Sequence, residues 1–276
     1  MTVSLNFKSA ASRSLEELAA YFTTAFAGYF YPQQLTSAAL ARRVRQEQID
    51  LHHSLLAFDG AEFVGIALLA LRVERGWCAG FGIVKERRGQ GFATELMKRF
   101  VEQARDCGVK RLSLEVLARN TAARRLYERA GLKVTRDLLI LERRGETSQP
   151  ETEKDLKEAE ANLLLRHFVS LHTEQPAWQR ELPALLAADG PRGLCLGDKQ
   201  APAAYGLLIT RPDGGTNLID LAAADEESAK ALSAGINKLP GALRVVNEPE
   251  NSLFIPALLA NGFVETDRQY EMACEL

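Results

Sequence analysis

Along the first 140 residues the spacing of apolar positions changes period several times, and each change marks an element. Leu15, Leu18, Ala19, Phe22 and Phe26 recur at helical spacing behind Ser14 and Glu17, a capping-box pair, so a helix is predicted over residues 15–26. Leu40 and Val44 give the inner face of a second helix, residues 36–48, after a loop holding Tyr29, Phe30, Tyr31 and Pro32. Such an aromatic loop serves either packing or a pocket wall. Residues 54–58 and 63–73 read as two strands joined by Asp59-Gly60, a dipeptide suited to a tight hairpin. A third strand follows at 77–84. Next comes an amphipathic helix at 92–107 with Ala93, Leu96, Met97, Phe100, Val101 and Ala104 inward. Strand 111–116, helix 121–130 capped by Gly131, and strand 133–142 close the run.

From 145 to 161 the chain turns polar, with Pro150 and a run of Glu and Lys, the pattern of a linker entering a solvated helix. This divides the chain into residues 1–148 and 149–276. Beyond it the order of elements repeats: a hairpin at 193–197 and 203–210, a strand at 216–224, a helix at 226–237 and a strand at 242–247. Residues 112–120 (LSLEVLARN) align without gaps on 243–251 (LRVVNEPEN), and Gly131 and Gly262 fall at the same distance beyond the shared Asn. Two copies of one domain are therefore expected.

At 276 residues, 46% hydrophobic and 25% charged, the chain can build two ordinary cores. Its 34 basic and 36 acidic residues leave a net charge of -2, which offers no bulk attraction to nucleic acid or to anionic lipid. Cys78, Cys107, Cys195 and Cys274 are scattered, and the four histidines lack ligand spacing, so reduced thiols and no metal are expected. No segment has the length of a membrane span or of a signal-peptide core, and a cytoplasmic protein is expected.

Chemistry concentrates in residues 81–96, FGIVKERRGQGFATEL, where an apolar strand enters a basic, Gly-containing turn that opens directly into a helix. The first amides of a helix lack internal partners and sit at the positive end of its dipole, so they can hold a phosphate. Gly89 and Gly91 permit close backbone approach. A plain surface turn has the same outline, and spacing alone leaves both readings open. There is no G-x-G-x-x-G and no G-K-[ST].

Arg88, Gly91 and Ala93 nevertheless match the R-x-x-G-x-G/A signature of the GNAT superfamily. Asn120, Ala123, Leu126, Tyr127, Gly131 and Leu132 resemble its N-x-x-A-x-x-L-Y-x-x-x-G-F segment, with Leu for the final Phe. The resemblance covers residues 5–143. It implies a mixed α/β (α+β) fold of two tandem GNAT-like domains, each a mostly antiparallel sheet with flanking helices and splayed central strands. It further implies acetyl-CoA as acyl donor. Amides of Arg88, Gly89, Gln90, Gly91, Phe92 and Ala93 would hold its pyrophosphate, Ile83 and Val84 would pair with its pantetheine arm, and Asn120 would hold the arm from the other side. Gly80 and Gly82 would suit a bulge or a close approach beside it.

Tyr127 would then face the thioester sulfur. A thiol titrates near 8.5 and a phenol near 10, so full proton transfer is uphill by about 2 kcal/mol, and hydrogen-bond stabilisation of the thiolate is the favoured role. Stripping a lysine-like amine at pH 7 costs about 4–5 kcal/mol, which calls for a base. Residues 79–84 hold no acid; Glu115, Glu74 and His53 are the candidates, Glu115 first among them. The expected activity is acetyl transfer to a primary amine of a small molecule or peptide by direct attack in a ternary complex. The alternative is a non-catalytic acyl-CoA sensor. In the second copy, Asp225, Glu226 and Glu227 replace the glycine turn and Leu258 stands at the position of Tyr127, so a degenerate domain without a coenzyme site is expected. The sequence leaves acceptor and oligomeric state open.

Overall fold

Ser14 accepts a hydrogen bond from the Glu17 amide while Glu17 accepts one from Ser14, so the capping box forms at its expected place. The structure, a computed structural model, describes residues 5–31, 34–145 and 156–276. Pro32 and the expected linker at 146–155, with the division at 148, lie outside the described residues.

By contact the chain divides into two units, Met1–Thr135 with Glu271–Leu276, and Arg136–Tyr270. The first contains β1 (Asn6–Ser9), α1 (Leu15–Ala25), α2 (Ser37–Glu47), β2 (Ile49–Asp59), β3 (Glu62–Arg72), β4 (Arg75–Ile83), α3 (Phe92–Asp106), β5 (Arg111–Leu117) and α4 (Thr121–Arg129), and the start of β6 (Lys133–Arg143). Its strands lie in the order β1, β2, β3, β4, β5, antiparallel except that β4 and β5 run parallel. α3 buries Leu96, Met97, Phe100, Val101 and Ala104 against β2, β3 and β4, the face its period predicts.

α1 lies against β3 and β4 closely enough to explain two strand glycines. A methyl group at Gly80 would come within 2.8 Å of Phe22, and one at Gly82 within 3.1 Å of both Phe26 and Ala25. The pairing of β3 with β4 also shifts between Leu68 and Leu69, so that Ala79 is passed over. The bulge expected there is present, and the close approach that the glycines accommodate is that of α1.

The second unit repeats this order. It adds β7 (Lys157–Glu160), α5 (Ala161–Leu164), α6 (Phe168–Leu171), α7 (Leu182–Leu186), β8 (Arg192–Asp198), β9 (Ala201–Thr210), β10 (Thr216–Ala223), α8 (Glu226–Asn237), β11 (Leu243–Pro249), α9 (Phe254–Ala260) and β12 (Val264–Glu275). Here too one central pair, β10 with β11, runs parallel, while β7 to β10 are antiparallel and β11 meets residues 138–143 of β6 antiparallel. The core includes Leu194, Leu208, Leu232, Ile236, Val245 and Leu258. Residues 157–160 form an exposed edge strand against β8 where a solvated helix was expected. Gly131 and Gly262, aligned in sequence, both adopt positive φ, at 95° and 78°, just past α4 and α9.

Residues 271–275 of β12 complete the first unit beside β5. Glu275 pairs with Arg111 at 2.8 Å, and the Leu276 amide donates to the Lys110 carbonyl at 2.8 Å.

Candidate active site

β4 and β5 share only three ladder pairs, Arg75 with Arg111, Gly76 with Leu112 and Trp77 with Ser113. Past Trp77 the two strands separate, leaving a gap bordered by residues 78–83 and 114–117. On its far side the ladder to β3 continues, with Ile83 opposite Gly65 and the Val84 amide donating to the Val64 carbonyl at 2.9 Å. Antiparallel alternation therefore turns the backbone of Gly82 and Val84 toward β3 and that of Phe81 and Ile83 toward the gap. Of the two residues expected to pair with a cofactor arm, Ile83 faces the opening and the Val84 amide does not.

The turn after β4 has the shape that its glycines allow. Gly89 and Gly91 sit at φ 77° and 90°, and Gly91 caps α3 without a side chain. Of the six amides expected to hold a pyrophosphate, that of Arg88 is already spent on the Lys85 carbonyl at 3.3 Å, while those of Gly89, Gln90, Gly91, Phe92 and Ala93 meet no acceptor among the described residues; the first amides beyond them, those of Thr94 and Glu95, return to the Gly91 carbonyl. Five unengaged donors at the positive end of a fifteen-residue helix form an anion cradle.

Two cations of this turn, Arg87 and Arg88, are engaged elsewhere. Arg87 pairs with Glu62 and lies 3.5 Å from Asp59. Arg88 donates from Nε to the Ile83 carbonyl at 2.9 Å, and from Nη2 to the carbonyls of Ala25 and Ala27 at 3.0 and 2.8 Å. Gln90 donates its side-chain amide to the Glu86 carbonyl. Asn120 caps α4, accepting from the Ala123 amide at 3.2 Å, which leaves its NH2 as the group available to a ligand.

Tyr127 projects from α4 into the core, 7% exposed, with its ring edge-on to Phe81 at 6.1 Å. Its hydroxyl makes no hydrogen bond among the described residues. Burial pushes its proton affinity well above that of an ordinary phenol, and Cys78 and Tyr29 add to the effect. Burial likewise pushes the Cys78 thiol up to about 12, eased by a bond from the Gly80 amide and reinforced by the charge of Glu115. A protonated donor is thereby kept in a low-dielectric gap.

Glu115 stands on β5 at the gap and accepts from the Trp77 indole at 2.8 Å. Glu74 pairs with Lys110 at the exposed β3–β4 turn, and His53 bonds Asp50 on β2. Of the three candidate bases only Glu115 borders the opening. Trp77, Cys78 and Phe81, which no sequence motif singles out, also line it; no local pattern marks them, because the register of β4 against β5 decides their place.

The corresponding gap of the second unit carries a different set of side chains. β10 and β11 also share three ladder pairs before parting. Past them Tyr205 donates to Asp220 at 2.9 Å, His172 meets Asp220 at 3.1 Å, and Arg180 pairs with Glu248 while donating to the Ile219 carbonyl. Burial works against the charge on Arg180, but Glu248 and Asp220 outweigh it and hold the guanidinium's proton affinity above normal. A cavity of about 30 Å³ lies beside them, lined by His172, Arg180 and Glu248 among others, room for two or three waters at ~10–15 Å³ each. Asp225 caps α8 by accepting from the Ser228 amide, and Leu258 is fully buried core. Among the described residues no group of His, Cys, Asp and Glu is placed to hold a metal ion, and no helix is long and apolar enough to cross a membrane.

Residues 16–132 match the acetyltransferase (GNAT) family. The uncharacterized N-acetyltransferase YycN of Bacillus subtilis is 40% identical over 55 residues, 20% of this chain and 35% of that protein. The N-alpha-acetyltransferase 30 of Schizosaccharomyces pombe is 36% identical over 83 residues, 28% and 55% of the two chains. The chain thus spans about a third to about half the length of these curated relatives. Over nearly its whole length it superposes on a tandem GNAT protein from the clavulanic acid biosynthesis pathway, with a TM-score of 0.66 at 13% identity, covering 99% of this chain and 98% of that one. The fold is that of a tandem GNAT protein, and the match to the family lies in residues 16–132.

Proposed function

We propose, from the family match of residues 16–132 and the parting of β4 from β5 beyond Trp77, that this protein is an acetyl-CoA-dependent N-acetyltransferase with a single coenzyme site. The observation that carries the reading is the coincidence, at one gap, of the free amides of residues 89–93 and the unpartnered hydroxyl of Tyr127. Acetyl-CoA supplies the activated acyl group. The amides of Gly89 to Ala93 bind its pyrophosphate. The Ile83 amide and the backbone of Phe81 offer strand-like bonds to the pantetheine arm, and the Asn120 side chain donates from the opposite wall.

Tyr127 donates a hydrogen bond at the sulfur as negative charge develops there. Its raised proton affinity makes it a poor acid but a persistent donor, which agrees with stabilisation rather than full proton transfer. Glu115 is the group on β5 best placed to receive the proton of an incoming primary amine, directly or through water. The acceptor is an amine of a small molecule or a peptide. The second unit, whose gap carries Arg180, Glu248, His172, Asp220 and Tyr205, binds no coenzyme.

A thiol-release assay with acetyl-CoA and a library of primary amines tests this reading, with calorimetric titration of coenzyme A alongside. One coenzyme bound per chain and amine-dependent thiol release are expected. Binding without release by any amine favours a sensor; two coenzymes per chain would refute the asymmetry.

A further inference from the structure

Resting on the acetyl-CoA reading, we propose that Arg88 is a positioning residue that sets the loop of residues 26–31 against the pyrophosphate turn, and is not itself a ligand of the phosphates. Its guanidinium serves three carbonyls from two elements: Ile83 at the end of β4, and Ala25 and Ala27 at the end of α1. Ala25 and Ala27 lie where a helix leaves its last carbonyls without partners, so Arg88 caps α1 from outside. A planar fork with donors on separate edges does this, and a lysine ammonium does not reproduce the geometry.

The loop so anchored continues into the gap wall. Gly28 turns the chain at φ 72°, and Tyr29 packs on Phe26 at 5.5 Å and on Phe30 at 5.5 Å. Tyr29 also lies close enough to Tyr127 to raise its proton affinity. At its other end the loop is held by Arg119, whose guanidinium lies 4.7 Å over the Phe30 ring. Arg119 immediately precedes Asn120, the N-cap of α4. Both anchors of the loop therefore come from the turns that would touch the coenzyme. The Arg88 bond to Ile83 also occupies that residue's carbonyl, leaving the Ile83 amide as the group it offers.

Amide hydrogen exchange of the full chain, free and with coenzyme A, tests the proposal on R88Q and on the milder R88K, whose retained charge guards against loss of folding. Exchange in residues 26–31 of the free protein should rise about tenfold or more in both variants, while α3 and β2 keep wild-type protection. Coenzyme A should slow exchange in that loop in the wild type and fail to do so in R88Q. Unchanged loop exchange in the free variants, with coenzyme affinity lost in R88Q and kept in R88K, would make Arg88 a phosphate ligand and overturn the proposal. A rise spread evenly over the first unit would overturn it in favour of a general staple. A wild-type chain that binds no coenzyme A would sink the site reading, while exchange in the free variants would still judge the loop anchor.

Discussion

The ring of Tyr127 meets that of Phe81 edge to face, with centroids 6.1 Å apart and planes at 84°. One residue comes from α4 and the other from the part of β4 that has left β5, so the contact spans the gap and fixes where the phenol oxygen points. Tyr127→Phe keeps the ring, the contact and the burial, and removes only the donor. Coenzyme affinity should stay within about twofold, while turnover with a saturating amine falls about tenfold or more, because the lost bond strengthens only as sulfur gains charge. Rates and affinities measured on the same preparation decide; a rate within twofold of wild type ends the assignment.

Alkaline behaviour follows from the same burial. Tyr127 and Cys78 both hold their protons more tightly folded than unfolded, Cys78 up to about 12 against 9.0. The unfolded chain thus binds fewer protons once pH passes the unfolded value. Stability from these groups is fully present below about pH 9 and is lost as pH rises through the folded values. Thermal denaturation should show a flat midpoint between about pH 7 and 9 and a fall above it, smaller in Cys78→Ala. The pH-rate profile should show no descending limb near 10 from Tyr127; a limb there that vanishes in Tyr127→Phe would contradict its protonated state.

Gly91→Glu places a side chain at φ 90°, which L-residues rarely adopt, and sets a carboxylate among five free amides. Strain of about 1–2 kcal/mol is expected from the backbone alone. Coenzyme affinity should drop at least about tenfold, or about 1.4 kcal/mol, in a protein whose circular dichroism is unchanged. Undiminished binding in the folded variant would place the pyrophosphate elsewhere.

Glu248→Ala leaves Arg180, 5% exposed, without its closest carboxylate in the second unit. Breaking a buried pair costs about 3–5 kcal/mol, and Asp220 at 3.9 Å offsets part of that, so urea denaturation should show a lower midpoint by less than the full amount. The double change Arg180→Met with Glu248→Leu should recover most of the loss. If Glu248→Ala alone is neutral, the pair does not stabilise the second unit.

Where an element's signal is local, the sequence carries it. The Ser14–Glu17 box, the Asp59-Gly60 turn and the apolar stripe of α3 each appear within a residue or two of their predicted place. Pro256 argues against a helix interior near 256; α9 begins at Phe254, which puts the proline in the first turn, where its missing N–H is not needed. β7 reads KEAE and is a strand only because β8 offers it an edge, so no propensity could reveal it. β12 is silent in sequence for a related reason, since its polar run VETDRQYE is ordered by pairing with distant strands. In the site, the glycine turn and Asn120 to Gly131 are legible as motifs. The use of Arg88 on Ala25 and Ala27 is not, because it depends on where α1 ends relative to β4.

The return of residues 271–275 to the first unit bears on how the chain is made. During synthesis every residue that borders the gap between β4 and β5 leaves the ribosome early, yet β5 lacks its second neighbour until the second unit has followed. The nascent first unit must wait with that edge unpaired. The strand that completes the first unit thus comes from residues 271–275, far along the chain from the segment proposed to carry the chemistry.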